Sequence, residues 1–320
     1  MSVRIHDVLC NFKPLSDFWR KNKLTGMIFA FVSALGFGTN LIFARLGLQY
    51  MKPSAGAIIA STMAFSLVMI FALSLHWDEV VSLKATSIGA LALVGSLHFG
   101  IGRFLNLTSV RMSGPANQAG LLASVPFFSS LFAITIGSET LTFPVIIGTV
   151  AITLGLILIV TKRLNQNNKL ILSNKRQVRI GILLGFSTSI IYGLSVFLES
   201  ILVKEIAPPL VSSAFCLMFG ATFVALLFFR SAPKEILSAP RNGILLMMLS
   251  GTGIAWGLSF LFIALSLSPV VMVGPAMNIA PLITVYLSHI FLKRIEKVTI
   301  SLVIGSLMII LGATIITIYG

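Results

Sequence analysis

Gly114-Pro115-Ala116-Asn117-Gln118-Ala119-Gly120-Leu121-Leu122-Ala123-Ser124-Val125 returns later in the chain as Gly274-Pro275-Ala276-Met277-Asn278-Ile279-Ala280-Pro281-Leu282-Ile283-Thr284-Val285. Both stretches open on Gly-Pro-Ala and keep Leu and Val at matching places, Leu122 and Val125 against Leu282 and Val285. The correspondence continues outward. Gly26, Phe31, Gly38 and Pro53 fall on Gly181, Phe186, Gly193 and Pro208 at a constant offset of about 155. Glu139, Thr142, Gly148 and Gly155 fall on Glu296, Thr299, Gly305 and Gly312. Single glycine coincidences mean little in an apolar chain, but an ordered series that includes proline and glutamate marks an internal repeat.

The repeat lies in a chain that no soluble core could hide. Hydrophobic residues make up 57% of the 320 and charged residues 10%, with a mean hydropathy of +1.01, against roughly 25% charged in a soluble domain. Cutting at charges, prolines and polar clusters leaves ten apolar segments: 24–44, 55–75, 88–109, 115–136, 143–161, 180–203, 210–229, 244–267, 270–291 and 300–319. Each is long enough to cross about 30 Å of hydrocarbon at about 1.5 Å per residue. The reading is an all-α integral membrane protein of ten transmembrane helices. It divides into an N-terminal tail (1–23), a first five-helix repeat (24–164), a polar basic linker (165–178) and a second repeat (179–320). An odd number of spans per repeat inserts the second copy upside down, and such inverted halves supply two similar states open to opposite sides.

The chain is basic, with 23 Lys and Arg against 9 Asp and Glu. Because the bases sit in short segments between apolar runs, they read as membrane anchors rather than as a nucleic-acid surface. Orientation stays open: the linker is rich in Lys and Arg and should lie in the cytoplasm, yet Arg4, Lys13, Arg20, Lys21 and Lys23 crowd the opposite side. The first 23 residues lack the apolar stretch of a cleavable signal. Cys10 and Cys216 are too few and too far apart for a disulfide framework or a metal site.

Polar residues inside the apolar runs are the candidates for chemistry. Arg103 costs about 2.5 kcal/mol or more in hydrocarbon unless it faces a cavity or partner. With Asn106 at i+3 it could present a guanidinium and an amide to one ligand, and Gly100 and Gly102 leave room beside them. The alternative is that Arg103 snorkels to the interface. His98, deeper in the run, is either proton-linked or satisfied by a neighbouring carbonyl. Asn117 and Gln118 follow the first Gly-Pro-Ala and Asn278 the second, so they either grip a solute from both halves or bond between helices. Asn40, Tyr192 and Trp256 are further candidates for a cavity wall, against ordinary packing. Glu199 alone among the acids enters a span, and it is the candidate for ion coupling. No Gly-rich phosphate loop ending in Lys and Ser or Thr is present, so the reading is not an ATP-driven pump and not an enzyme, and no cofactor or metal is expected.

The doubled five-helix unit and the closing patterns Gly137-Ser138-Glu139-Thr140-Leu141-Thr142 and Leu292-Lys293-Arg294-Ile295-Glu296-Lys297-Val298-Thr299, each followed by its pair of glycines, resemble the EamA-domain family of the drug/metabolite transporter superfamily. The second copy has Ile295 where the usual Gly-Glu turn would have glycine. The resemblance implies a multi-pass protein of the cell (inner or plasma) membrane, drawn with both termini cytoplasmic, that carries a small-molecule substrate and touches membrane lipid but no nucleic acid. The expected function is alternating-access export or exchange of a small polar metabolite, with a tilt from Arg103 toward an anionic or amino-acid-like solute. Translocation of a lipid or lipid-linked group and a non-transporting scaffold or sensor are the alternatives. Substrate identity and oligomeric state are not legible.

Overall fold

A computed structural model describes residues 23–113, 118, 121–122, 124–137, 143–144, 146–151, 153–155, 158, 175–277, 279–280, 283–284, 286–287, 304–305, 307–308, 311–312 and 315. Asn117 and Asn278, the Glu139 and Glu296 turns and the N-terminal tail lie outside them.

The described residues form helices and no strands: α1 (Lys23–Gly47), α2 (Pro53–Leu75), short α3 (Trp77–Val81), α4 (Ala85–Ser113), α5 (Val125–Thr135), α6 (Lys175–Ile201), α7 (Pro209–Leu227), short α8 (Ala232–Ser238), α9 (Arg241–Leu267) and α10 (Val270–Met277). Six of them are long and apolar enough to cross a membrane: α1, α2, α4, α6 with its π-helical extension Leu202–Ile206, α7 and α9. The expected fourth, fifth, ninth and tenth spans fall on residues described only in part.

Prolines set the starts of the second helix in each half. Pro53 opens α2 and Pro209 opens α7, where a missing N–H costs nothing because the first turn has no acceptor for it. Basic residues lie within helices as well as between them, so two helices run beyond the apolar segments expected from the sequence. α4 runs on past Arg111 to Ser113, and α6 begins at Lys175, inside the linker, so that Arg176 and Arg179 are helical. The short helices α3 and α8 begin at equivalent places, Trp77 and Ala232.

The halves are intertwined rather than side by side. α1 packs most extensively on α9 of the other half, and α6 packs on α4, which is the same relation with the halves exchanged. Glycines make both crossings close. On α1, Gly26 approaches Ser268, Gly36 approaches Gly257 and Gly47 approaches Met247, so α1 and α9 run antiparallel. On α6, Gly181 approaches Met112 and Ser113, while Gly102 of α4 approaches Ile191 and Tyr192, so this pair is antiparallel too. The Gly257–Phe37 contact of one crossing reappears at the repeat offset as the Gly102–Tyr192 contact of the other. Small residues allow such approach where lipid supplies no hydrophobic drive. α7 packs on α4 and α2 on α9, again as a matched pair, and α5 meets α10.

Position follows from this packing. Within the apolar window of α1, 56% of residues are buried, against 28% for α2, so α1 is central and α2 peripheral. Ile70 and Phe71 of α2 are exposed, as suits a helix whose outer side meets acyl chains rather than water.

Candidate functional site

Between the halves lies a cavity of about 880 Å3, counting its open mouth. Phe37, Asn40 and Leu41 of α1 line it, with His98, Phe99, Arg103 and Asn106 of α4, Val125 and Pro126 of α5, Tyr192 and Val196 of α6, Ile254 and Leu261 of α9, and Gly274 and Met277 of α10. The walls are mostly apolar, with a few convergent polar groups, which is the usual form of a small-molecule site.

A local feature of α4 gathers those polar groups. Ser96–Gly102 is a π-helical stretch inside the helix. In a regular α-helix, positions five apart differ by about 140° around the axis. Widening the turn until bonds span five residues swings such positions toward one face. His98 and Arg103, five apart, therefore both reach the cavity, and Asn106 follows one turn later.

Arg103 is 3% exposed and turned into the protein, nearly three turns before the end of α4. Its Nη2 donates to Asn40 Oδ1 at 3.0 Å and to Ser250 Oγ at 3.2 Å, while Ser250 Oγ donates to Asn40 Oδ1 at 2.6 Å. This three-way knot joins α4 to both helices of the α1–α9 pair. Nε of Arg103 has no hydrogen-bond partner among the described residues, and no carboxylate there forms an ion pair with it. Asn106 Nδ2 donates to the Tyr192 hydroxyl at 3.3 Å, and Asn106 Oδ1 is left without a partner among the described residues. The guanidinium thus stands at the cavity wall with no carboxylate among the described residues in ion-pair contact with it.

On the other side of Tyr192 stands a second polar group. His98 Nδ1 and Glu199 Oε1 are 2.5 Å apart, and Glu199 is completely buried. The imidazole stacks on Phe99 and tilts against the Tyr192 ring, with centroids 4.1 and 4.4 Å apart. Glu199 Oε2 has no partner among the described residues. The histidine is therefore bonded to a carboxylate from the other half, and not to the neighbouring carbonyl that was one of its two expected fates.

The remaining candidates lie elsewhere. Gln118 is fully buried, and its Oε1 accepts from Ser109 Oγ at 2.5 Å, so it bonds to another helix outside the cavity lining. Trp256 is half exposed on the outer side of α9, its indole N–H donating to the Val32 carbonyl at 3.2 Å, and it does not line the cavity. Ser250 was not among the candidates, because a serine in an apolar run usually bonds its own helix and gives no signal. Phe37 had a signal: it is the repeat partner of Tyr192. Among the described residues no three His, Cys, Asp or Glu side chains come together as a metal site would require.

A sequence profile of the EamA-like transporter family matches residues 24–161 and again residues 179–318. The chain belongs to the EamA-like transporter family. The two matches coincide with the two copies of the repeat, so this family member is a multi-pass membrane protein of the drug/metabolite transporter type. No curated protein matches the EamA-like chain over its sequence. A crystal structure of another protein shares its fold with a TM-score of 0.69 at 16% identity, the match covering 91% of this chain and 96% of that one. That likeness concerns the fold alone.

Proposed function

We propose that this transporter moves a small solute bearing a carboxylate or phosphate across the cell membrane, by export or exchange, through alternating access between two inverted repeats of five spans each. The carrying observation is Arg103: a buried guanidinium on the cavity wall with amide and hydroxyl neighbours and no acidic partner among the described residues. A cation held this way in hydrocarbon is costly, and a solute anion would offset that cost in every transport cycle. Asn40, Asn106 and Tyr192 add neutral hydrogen-bonding groups around the same spot, and the apolar walls fit the body of a metabolite. The antiparallel α1–α9 and α4–α6 crossings support the alternating mechanism, because exchanging the roles of the halves exchanges the two crossings.

Counterflow in proteoliposomes, with radiolabelled amino and organic acids set against amines, tests the reading. Acids are expected to exchange and amines not. Arg103→Gln removes a charge-assisted bond of about 2 kcal/mol, which weakens the apparent affinity for the acid about 30-fold. Anion exchange at unchanged affinity in that variant would remove Arg103 from the site.

A further inference from the structure

The anion site leaves one buried ionisable group without a task. Glu199 is enclosed on all sides, with one oxygen on His98 and the other without a partner among the described residues. The groups that face the pair are few. From α4 come His98 itself and, across Tyr192, Arg103; from α6 comes Tyr192; from α7 comes the Cys216 thiol; Lys204 and Glu205 are exposed beyond the end of α6. α2, α5 and α10 carry no ionisable residue, and the bases of α1 and α9, Lys23, Arg45 and Arg241, stand near helix ends.

We propose that the His98–Glu199 pair carries one proton across the membrane with each anion held at Arg103, making this chain a one-to-one proton–anion symporter. The inference rests on the anion reading above and adds the coupling ion to it. Charge counting at the cavity carries it. With no solute and no added proton, Arg103 contributes +1 and the neutral-imidazole, carboxylate pair contributes −1, so the cavity is neutral. An anion alone makes it negative, and a proton alone makes it positive. Anion and proton together restore neutrality. The charged loads meet the cost of burying net charge when the halves rearrange, and the two neutral ones do not. The proton is taken from water at one face onto the Glu199–His98 pair and returned to water at the other, with no bond broken in the solute. The Tyr192 ring against His98, and its hydroxyl on Asn106, place the two loads on either side of one side chain.

The test counts protons. Purified full-length protein in lightly buffered detergent is titrated with pyruvate, L-lactate and L-glutamate, with a soluble pH indicator reading proton uptake and calorimetry reading binding. The expected result is about one proton taken up per anion bound, falling toward zero in Glu199→Gln at whatever affinity that variant keeps. In proteoliposomes the same anion should enter faster when the outside is acidified, at a rate that an imposed membrane potential does not change. Glu199→Gln should make the remaining flux follow the potential. His98→Gln gives the same comparison if Glu199→Gln fails to accumulate. Anion binding without proton uptake by the unaltered protein overturns the coupling and leaves the anion reading standing. No binding by any of the three acids, nor by inorganic phosphate titrated in the same way, overturns both.

Discussion

Asn40 Oδ1 accepts from two donors at once, Arg103 Nη2 and Ser250 Oγ, and this sharing separates what the knot does for stability from what it does for function. Replacing Arg103 with methionine leaves the Asn40–Ser250 bond in place and removes a buried charge, a change that is often neutral or stabilising. Arg103→Met is therefore expected to melt in detergent at or above the unaltered protein while losing acid counterflow. Asn40→Leu does the reverse: it leaves the guanidinium with Ser250 alone and should lower stability by about 3 kcal/mol. If Arg103→Met melts well below the unaltered protein, the arginine is structural. Arg103, Asn106, Asn40 and Tyr192 were legible in the sequence because each is a polar interruption in an apolar run. The bond between His98 and Glu199 was not. It joins residues about 100 positions apart, and only the crossing of α4 on α6 brings them together.

At the scale of the helices, closeness of approach is what the glycines supply, and it differs sharply between two of them. A methyl group on Gly36 would run into the backbone of Gly257, whereas one on Gly89 would meet nothing within 4 Å. Gly36→Ala is expected to push α1 from α9 and to cost about 2 kcal/mol or more, as overpacking does. Gly89→Ala should raise stability by about 0.5–1 kcal/mol through its effect on the unfolded chain and helix propensity. Melting temperatures of the two variants, read side by side, check the crossing; equal values would contradict it. The long helices were legible from their apolar runs. Their ends were not, because charges in this chain sit inside helices as readily as between them, and the π-helical stretch Ser96–Gly102 has no compositional mark beyond its glycines. Trp256 shows the same limit: an aromatic residue in an apolar helix carries no sign of which side it faces.

For the molecule as a whole, a polar tie joins the halves where α8 meets the start of α2. Glu235 of α8 accepts from the Lys52 backbone N–H at 2.5 Å, just ahead of α2, and lies 3.9 Å from the Lys52 ammonium. In the other half Glu79 of α3, one position from the place that corresponds to Glu235, pairs among the described residues with its neighbour His76. Glu235→Ala should therefore loosen one face more than the other. A Leu261→Cys reporter on the cavity wall is expected to react several-fold faster with a water-soluble thiol reagent once Glu235 is removed, the partly exposed ion pair itself contributing little. An unchanged rate would mean that the tie does not hold that face shut. The repeat made the doubled architecture legible, but not which helix would seek which partner across the halves. That exchange of partners has a consequence for synthesis. α1 ends at Gly47 and α9 begins at Arg241, so at about 5–20 residues per second α1 waits roughly 10–40 s for the helix it packs on. During that interval Asn40 and the glycine face of α1 stand open to lipid, and Arg103 arrives before Ser250 exists to receive it. A chain interrupted between α4 and α9 is left with a charged residue and no complete knot to hold it, which marks it for membrane quality control.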